Sequence, residues 1–314
     1  MLDDLDTLRA RDENGFLPRL AALPGAYQGP DAACAPPFGL DASGPATALL
    51  PVVAAWTDAR LVGHGTQFLV DEGFDAQADL ALRGVAAEAA DPAVVWIVHG
   101  DEEAEQGTDL DVRTAVVRLP AGPFAPFHQA RFLAFATGRP DTGERLARAL
   151  RAVADAADPS RDTAVNPAKT LAWALWQRVP LLVSDPAGAP AQVLVQQAFA
   201  RVGKTLAIAS GPHGALVAAA AFEGRHPLAD DLVALVLGHR GRETDLVEEV
   251  LATRVAQVER LAFDDGWLPA ADGDPVVDAL VLWYAALWVA AYGALLAGLD
   301  PADEDLYGRV RAVA

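Results

Sequence analysis

Asn166-Pro-Ala-Lys-Thr-Leu-Ala-Trp-Ala-Leu-Trp-Gln-Arg-Val-Pro-Leu-Leu-Val-Ser184 carries a helix start and a strand within nineteen residues. Asn166 offers a side-chain oxygen to first-turn N–H groups. Pro167 suits the first helical position, where its missing N–H would have no helical partner. The pattern predicts a helix over 166–177. Val179–Ser184 is then a short apolar run with the length and composition of a strand. Helices alternating with such strands are the signature of an α/β architecture with parallel sheets.

The same alternation extends outward in both directions. Downstream, 189–202 reads as a helix, 205–209 and 231–237 as strands, 243–253 as a helix and 256–263 as a strand. Upstream, Ala93-Val-Val-Trp-Ile-Val98 and Thr114-Ala-Val-Val-Arg-Leu119 read as buried strands. Ala59–Gly63 is a further strand candidate. The runs 46–56, 76–90 and 142–157 have helical composition, and 2–9 and 15–23 read as short helices. The most polar linker candidate is Asp155–Thr163, so the chain divides into residues 1–157 and 158–314.

Composition bounds the partners. The 314 residues hold 24 Lys+Arg and 43 Asp+Glu, a formal charge of −19. Nucleic acid and anionic membrane surfaces would be repelled at long range, so neither is expected as a partner. Cys34 is the single cysteine, which rules out an internal disulfide and a cysteine-cluster metal site. With no basic-then-apolar leader at the N-terminus, a cytoplasmic location is expected. The stretch Ala279–Leu299 carries no charge and is long enough to span a bilayer. It lacks a basic flank until Arg309 and is rich in Ala and Gly, so a buried helix is preferred over a membrane span.

Several stretches resemble one family. Asn166–Leu175 with Arg178-Val-Pro-Leu-Leu182 is similar to the second half of the bifunctional phosphoglucose/phosphomannose isomerases, members of the sugar isomerase (SIS) superfamily. Leu2–Asp6 with Asp12–Pro24 is similar to that family's N-terminus, and Leu295–Pro301 to its C-terminus. The resemblance implies two SIS-type lobes, each a parallel β-sheet flanked by helices, in a homodimer with shared sites. It implies aldose–ketose isomerisation of a sugar phosphate, with no metal and no cofactor. That chemistry needs a phosphate cradle, a base at carbon 2 and a histidine for ring opening.

Site residues carry over from the resemblance position by position. The first glycine-rich turn falls on Gly63-His64-Gly65-Thr66-Gln67, so Gly63, Gly65 and Thr66 are substrate-binding candidates. The family's arginine near the sugar falls on Arg131, and its C-terminal lysine falls near Arg311. Its histidine falls on His213, the catalytic candidate. Two departures oppose ordinary catalysis. The hydroxyl-rich phosphate loop is replaced by Asp101-Glu102-Glu103-Ala104-Glu105, which repels a phosphate dianion. Where the family has its catalytic glutamate stands Arg201, which cannot serve as a base but can hold an anionic sugar. Two readings follow. One is an isomerase with a rearranged acid/base site. The other is a non-catalytic SIS protein that binds a carbohydrate derivative or a partner in a regulatory role.

Overall fold

The structure is a computed structural model, and it describes residues 1–26, 38–42, 93–99, 114–119, 122–128, 130, 140–185, 188–221, 227–263 and 266–303. The chain divides into two compact units: Met1–Tyr27 with Glu144–Asp303, and Gln28–Gly143 with Glu304–Ala314.

The second of these holds a three-stranded parallel sheet of β1 (Phe38–Ala42), β2 (Ala93–His99) and β3 (Thr114–Leu119), in spatial order β1-β2-β3. The β2 and β3 strands fall where the apolar runs predict them. β1 does not stand out in the sequence, because Gly39 and Asp41 are poor strand formers. Pairing with β2 from Phe38↔Ala93 to Ala42↔Ile97 decides its conformation. The strand expected at 59–63 and the helices expected at 46–56 and 76–90 lie outside the described residues.

The other unit is built on a four-stranded parallel sheet in the order β5-β4-β6-β7. Its strands are β4 (Val179–Val183), β5 (Ile208–Ser210), β6 (Leu232–Gly238) and β7 (Gln257–Ala262). Pro180 lies in β4, between two neighbours, yet removes no ladder bond toward β5, whose pairing begins only at Leu181. Every residue of β6 is buried, as its unbroken apolar run requires of a central parallel strand.

The N-terminal helices α1 (Leu5–Arg11) and α2 (Phe16–Ala22) pack in this unit, although they precede the other sheet in the chain. The helix α3 (Pro140–Ala156) leads from the first sheet toward the second along the sequence. Five helices then cover the four-stranded sheet. These are α4 (Pro167–Leu175), α5 (Ala189–Arg201), α6 (Pro212–Ala221), α7 (Arg242–Leu251) and α8 (Pro275–Leu296). On one face Leu181, Val183 and Ala234 pack with Ala215 and Ala219 of α6 and with Val247 and Leu251 of α7. The opposite layer is α8 with α4 and α5. The expected start of α4 is realised, since Asn166 Oδ1 accepts the Lys169 N–H at 3.0 Å. Its end comes earlier than periodicity predicts, because Gln177 adopts φ +59° and turns the chain into β4.

The charge-free stretch forms most of α8, which starts upstream of it with Asp274 as N-cap and Pro275 and Asp278 in the first turn. Among its 22 residues only Pro275 and Gly293 are not buried. Buried apolar surface on all sides is the folded-core solution for a helix with no polar face. Its Trp283, Tyr284, Trp288 and Tyr292 side chains are at most 2% exposed.

Polar anchors explain the placement of α1 and α2. Tyr284 Oη donates to the Leu20 carbonyl at 2.6 Å, and Arg11 donates to the Leu295 carbonyl at 2.6 Å. Asp12 closes the start of α2 by accepting the N–H groups of Phe16 and Leu17.

Lys169 is a further anchor. Its side chain is fully buried, and Nζ donates to the carbonyls of Leu2 at 2.6 Å, Arg161 at 2.7 Å and Pro159 at 2.9 Å. Asp3 lies 3.5 Å away and the Tyr292 ring 5.8 Å away. Burial pushes the ammonium below the usual lysine range, and Asp3 opposes that shift.

Replacing Lys169 with Met removes three donors at once and leaves three carbonyls against an apolar chain. The expected loss is about 3 kcal/mol of stability, the range for breaking a buried charge site. Urea unfolding of the variant measures it, and a midpoint equal to that of the natural chain would refute the anchoring role.

Candidate functional site

The four-stranded sheet reverses its winding once. The chain leaves β4 for β5 on one side and returns to place β6 on the other. In open parallel sheets such a reversal opens a crevice at the carboxyl ends of the strands, and ligands bind there. The residues that follow each strand therefore define the candidate site.

After β4 comes Ser184, 2% exposed, whose hydroxyl oxygen has no hydrogen-bond partner. The turn beyond it is closed by Asp185, which accepts the Gly188 N–H at 2.8 Å. Gly188 is required there, since a Cβ would lie 2.9 Å from the Ser184 Cβ. Gln192 on α5 ties two strand ends together by donating to the Leu182 and Ser210 carbonyls, each at 2.8 Å.

After β5, Gly211 leads into α6, and His213 sits exposed on its first turn. Gly214 beside it leaves room for Ser210, because a Cβ there would meet the Ser210 Oγ at 2.6 Å. His213 is thus held on a helix start at the carboxyl edge, open to solvent.

At the end of β6, Gly238 adopts φ +90° and releases the chain from the sheet at His239. The imidazole Nε2 lies 3.7 Å from Asp278 Oδ2, on the first turn of α8. Its ring lies against Phe263, which follows β7, with centroids 4.9 Å apart and a 31° tilt. Asp278 accepts the N–H groups of Asp272 at 2.8 Å and Gly273 at 3.2 Å. Burial pushes its carboxyl above the usual range, and those two N–H groups and His239 pull the other way.

Arg201 does not share this edge. It is the last residue of α5, buried, and α5 runs back along the sheet for twelve steps, roughly 18 Å at the helical rise. Within one chain Arg201 and His213 therefore lie at opposite ends of the sheet. Gly63, Gly65, Thr66, Arg131 and Arg311 lie outside the described residues, as does the acidic stretch 101–105. Among the described residues no group of three or more His, Cys, Asp or Glu side chains is arranged to hold a metal ion. A cavity of about 780 Å³ opens elsewhere, between the start of α4 and β7, lined by Val165, Leu171, Val258 and Trp267. Ser184, His213, His239 and Asp278 do not line it, and of the loops that follow the strands only the one after β7 reaches it, through Gly266 and Trp267.

The pair His239–Asp278 does not stand out in the sequence. Its members are 39 residues apart, on a strand end and a helix start, and no motif spacing links them. The readable sign is an acid at Asp278, within the first turn of an otherwise uncharged helix.

Comparison with known proteins places the chain. Residues 16–138 match the phosphoglucose isomerase N-terminal domain, and residues 164–312 match the bacterial phospho-glucose isomerase C-terminal SIS domain. A glucose-6-phosphate isomerase like protein from Thermus thermophilus is 31% identical, with a TM-score of 0.75 over 97% of this chain and 98% of that one. Glucosamine-6-phosphate deaminase from Thermotoga maritima shares the fold at 8% identity, with a TM-score of 0.52 over 96% of each chain. No curated protein matches the chain.

The raised Asp278 carboxyl sets a pH dependence. The folded chain holds this proton more tightly than the unfolded chain, whose reference value is 3.8. Stability attributable to Asp278 therefore falls as pH rises through the interval just above 3.8. Unfolding free energies of the natural chain and of Asp278→Asn, measured from about pH 3.5 to 7, are expected to differ by that slope. Parallel curves would contradict it.

Proposed function

Because the chain belongs to the bacterial phosphoglucose isomerase family of the SIS superfamily, we propose that it interconverts an aldose phosphate and a ketose phosphate. Glucose 6-phosphate and mannose 6-phosphate are the proposed aldoses, and fructose 6-phosphate is the ketose. The observation that carries this reading is His213, exposed on the first turn of α6 at the carboxyl edge of a parallel sheet. An imidazole in that position can take the proton of the anomeric hydroxyl and return one to the ring oxygen, opening the sugar.

The remaining contacts of this reading come from Gly63, Gly65, Thr66, Arg131, Arg201 and Arg311. Arg201 and His213 face opposite ends of one sheet, so a site that uses both requires two copies of the chain. A homodimer is therefore part of the proposal, as is a cytoplasmic setting without metal or cofactor.

Arg201 supports a second reading. Where the family has its basic glutamate this chain has a permanent cation, which fits a non-catalytic SIS protein that binds a sugar derivative in a regulatory role.

Two measurements separate the readings. Purified protein incubated with glucose 6-phosphate or mannose 6-phosphate is expected to form fructose 6-phosphate. His213→Ala is expected to lower kcat by about 100-fold or more, the usual weight of one acid/base group. Calorimetric binding of either phosphate without turnover would instead favour the regulatory reading. An unaltered rate in His213→Ala would remove this residue from the mechanism.

A further inference from the structure

With Arg201 in place of the glutamate and His213 occupied by ring opening, the step at carbon 2 still needs a proton acceptor. The carboxyl edge carries a second imidazole. We propose that His239, oriented by Asp278, is the base that moves the proton between carbon 2 and carbon 1. This role rests on the isomerase reading above and extends it.

Position is the first argument. His239 is the first residue after β6, the strand that lies beside β4 across the reversal of winding. Val183 pairs with Val236, so His239 leaves the sheet beside the end of β4, where Ser184 stands. His213 follows β5 on the other side of β4. At about 4.8 Å per strand, the two histidine-bearing ends are roughly 10 Å apart, a gap that accommodates one sugar. Between them, the unpartnered Ser184 hydroxyl is the kind of orphan that a bound polar group satisfies.

Restraint is the second argument. The imidazole lies 3.7 Å from the Asp278 carboxyl on one side and against the Phe263 ring on its face, and its side chain is 48% exposed. Asp278 is itself fixed by two backbone N–H groups and only 12% exposed at the side chain. An exposed imidazole backed by a fixed, buried carboxylate is the arrangement that stabilises an imidazolium once a proton has been taken. Such contacts are commonly long before substrate binds and tighten with it.

The chemistry balances. Neutral His239 takes the hydrogen of carbon 2, and the electron pair of that C–H bond moves through the new C1=C2 bond onto the carbonyl oxygen. The hydroxyl proton on oxygen 2 passes to oxygen 1. The imidazolium then returns its proton to carbon 1, giving the ketose and neutral His239. Asp278 is a positioning residue, since it touches the imidazole and not the sugar.

The experiment uses the full chain in deuterated buffer with fructose 6-phosphate and glucose 6-phosphate. The natural protein is expected to exchange solvent deuterium at carbons 1 and 2 during turnover. His239→Gln is expected to lose about 100-fold or more in kcat and in exchange, with KM within about twofold and an unchanged melting temperature. Asp278→Asn is expected to lower kcat with KM unchanged. In the natural protein, the NMR signals of the His239 ring are expected to shift when fructose 6-phosphate is added, a readout that needs no variant. A His239→Gln protein as active as the natural one, or ring signals that do not move, would overturn the role of His239 and leave the isomerase reading standing. A natural protein with neither turnover nor exchange would overturn both.

Discussion

A 22-residue helix without a polar face has to be covered on every side, and the larger unit is arranged around that requirement. The parallel sheet covers one side of α8, α4 and α5 cover another, and the N-terminal helices complete the enclosure. Four aromatic rings of α8 fill the interior in an alternating series of edge and tilted contacts. Each buried tyrosine hydroxyl then needs an acceptor. Tyr284 finds one in α2 at Leu20, and Tyr292 finds one at Ala157 just beyond α3. Apolar burial brings the elements together, and these hydroxyls select which segments meet.

Lys169 acts at the same seam. It is apolar along its stem and cationic at its tip, and the fold gives the tip three carbonyls drawn from Leu2, Pro159 and Arg161. One charge thereby joins the start of the chain to the segment entering α4. The enclosure also sets the functional edge. α8 begins beside the end of β6, which places Asp278 next to His239, and its length carries the helix back across the sheet. A core constraint and a candidate catalytic pair thus share one helix.

Much of this fold is legible along the chain. Asn166-Pro167 announces α4, and the apolar runs at 93–98, 114–119, 179–184 and 231–237 all form parallel strands. These signals are local, since a cap, a proline or a continuous apolar run constrains its own few residues. β1 is not legible, because Gly39 and Asp41 weaken its propensity and its partner β2 lies far along the chain. The run 212–221 carries so much alanine that no face distinguishes it, and only its seat between β5 and α7 identifies it as α6. Of the edge residues, His213 is visible through family resemblance. His239 and Asp278 are not, since an isolated histidine and an isolated aspartate carry no pattern until two elements bring them within 3.7 Å.

The linear chain specifies the α/β class, the parallel strands, the family and the burial of a long apolar helix. Each of these follows from composition, from motif or from spacing over a few residues, where the physics is short-range. Folding specifies which segments share an edge. It sets Arg201 and His213 at opposite ends of one sheet, draws α1 and α2 into the unit whose sheet begins only at Val179, and brings His239 to within 3.7 Å of Asp278. Those relations depend on strand order and on the direction each helix runs, and both are fixed only when the buried surfaces meet.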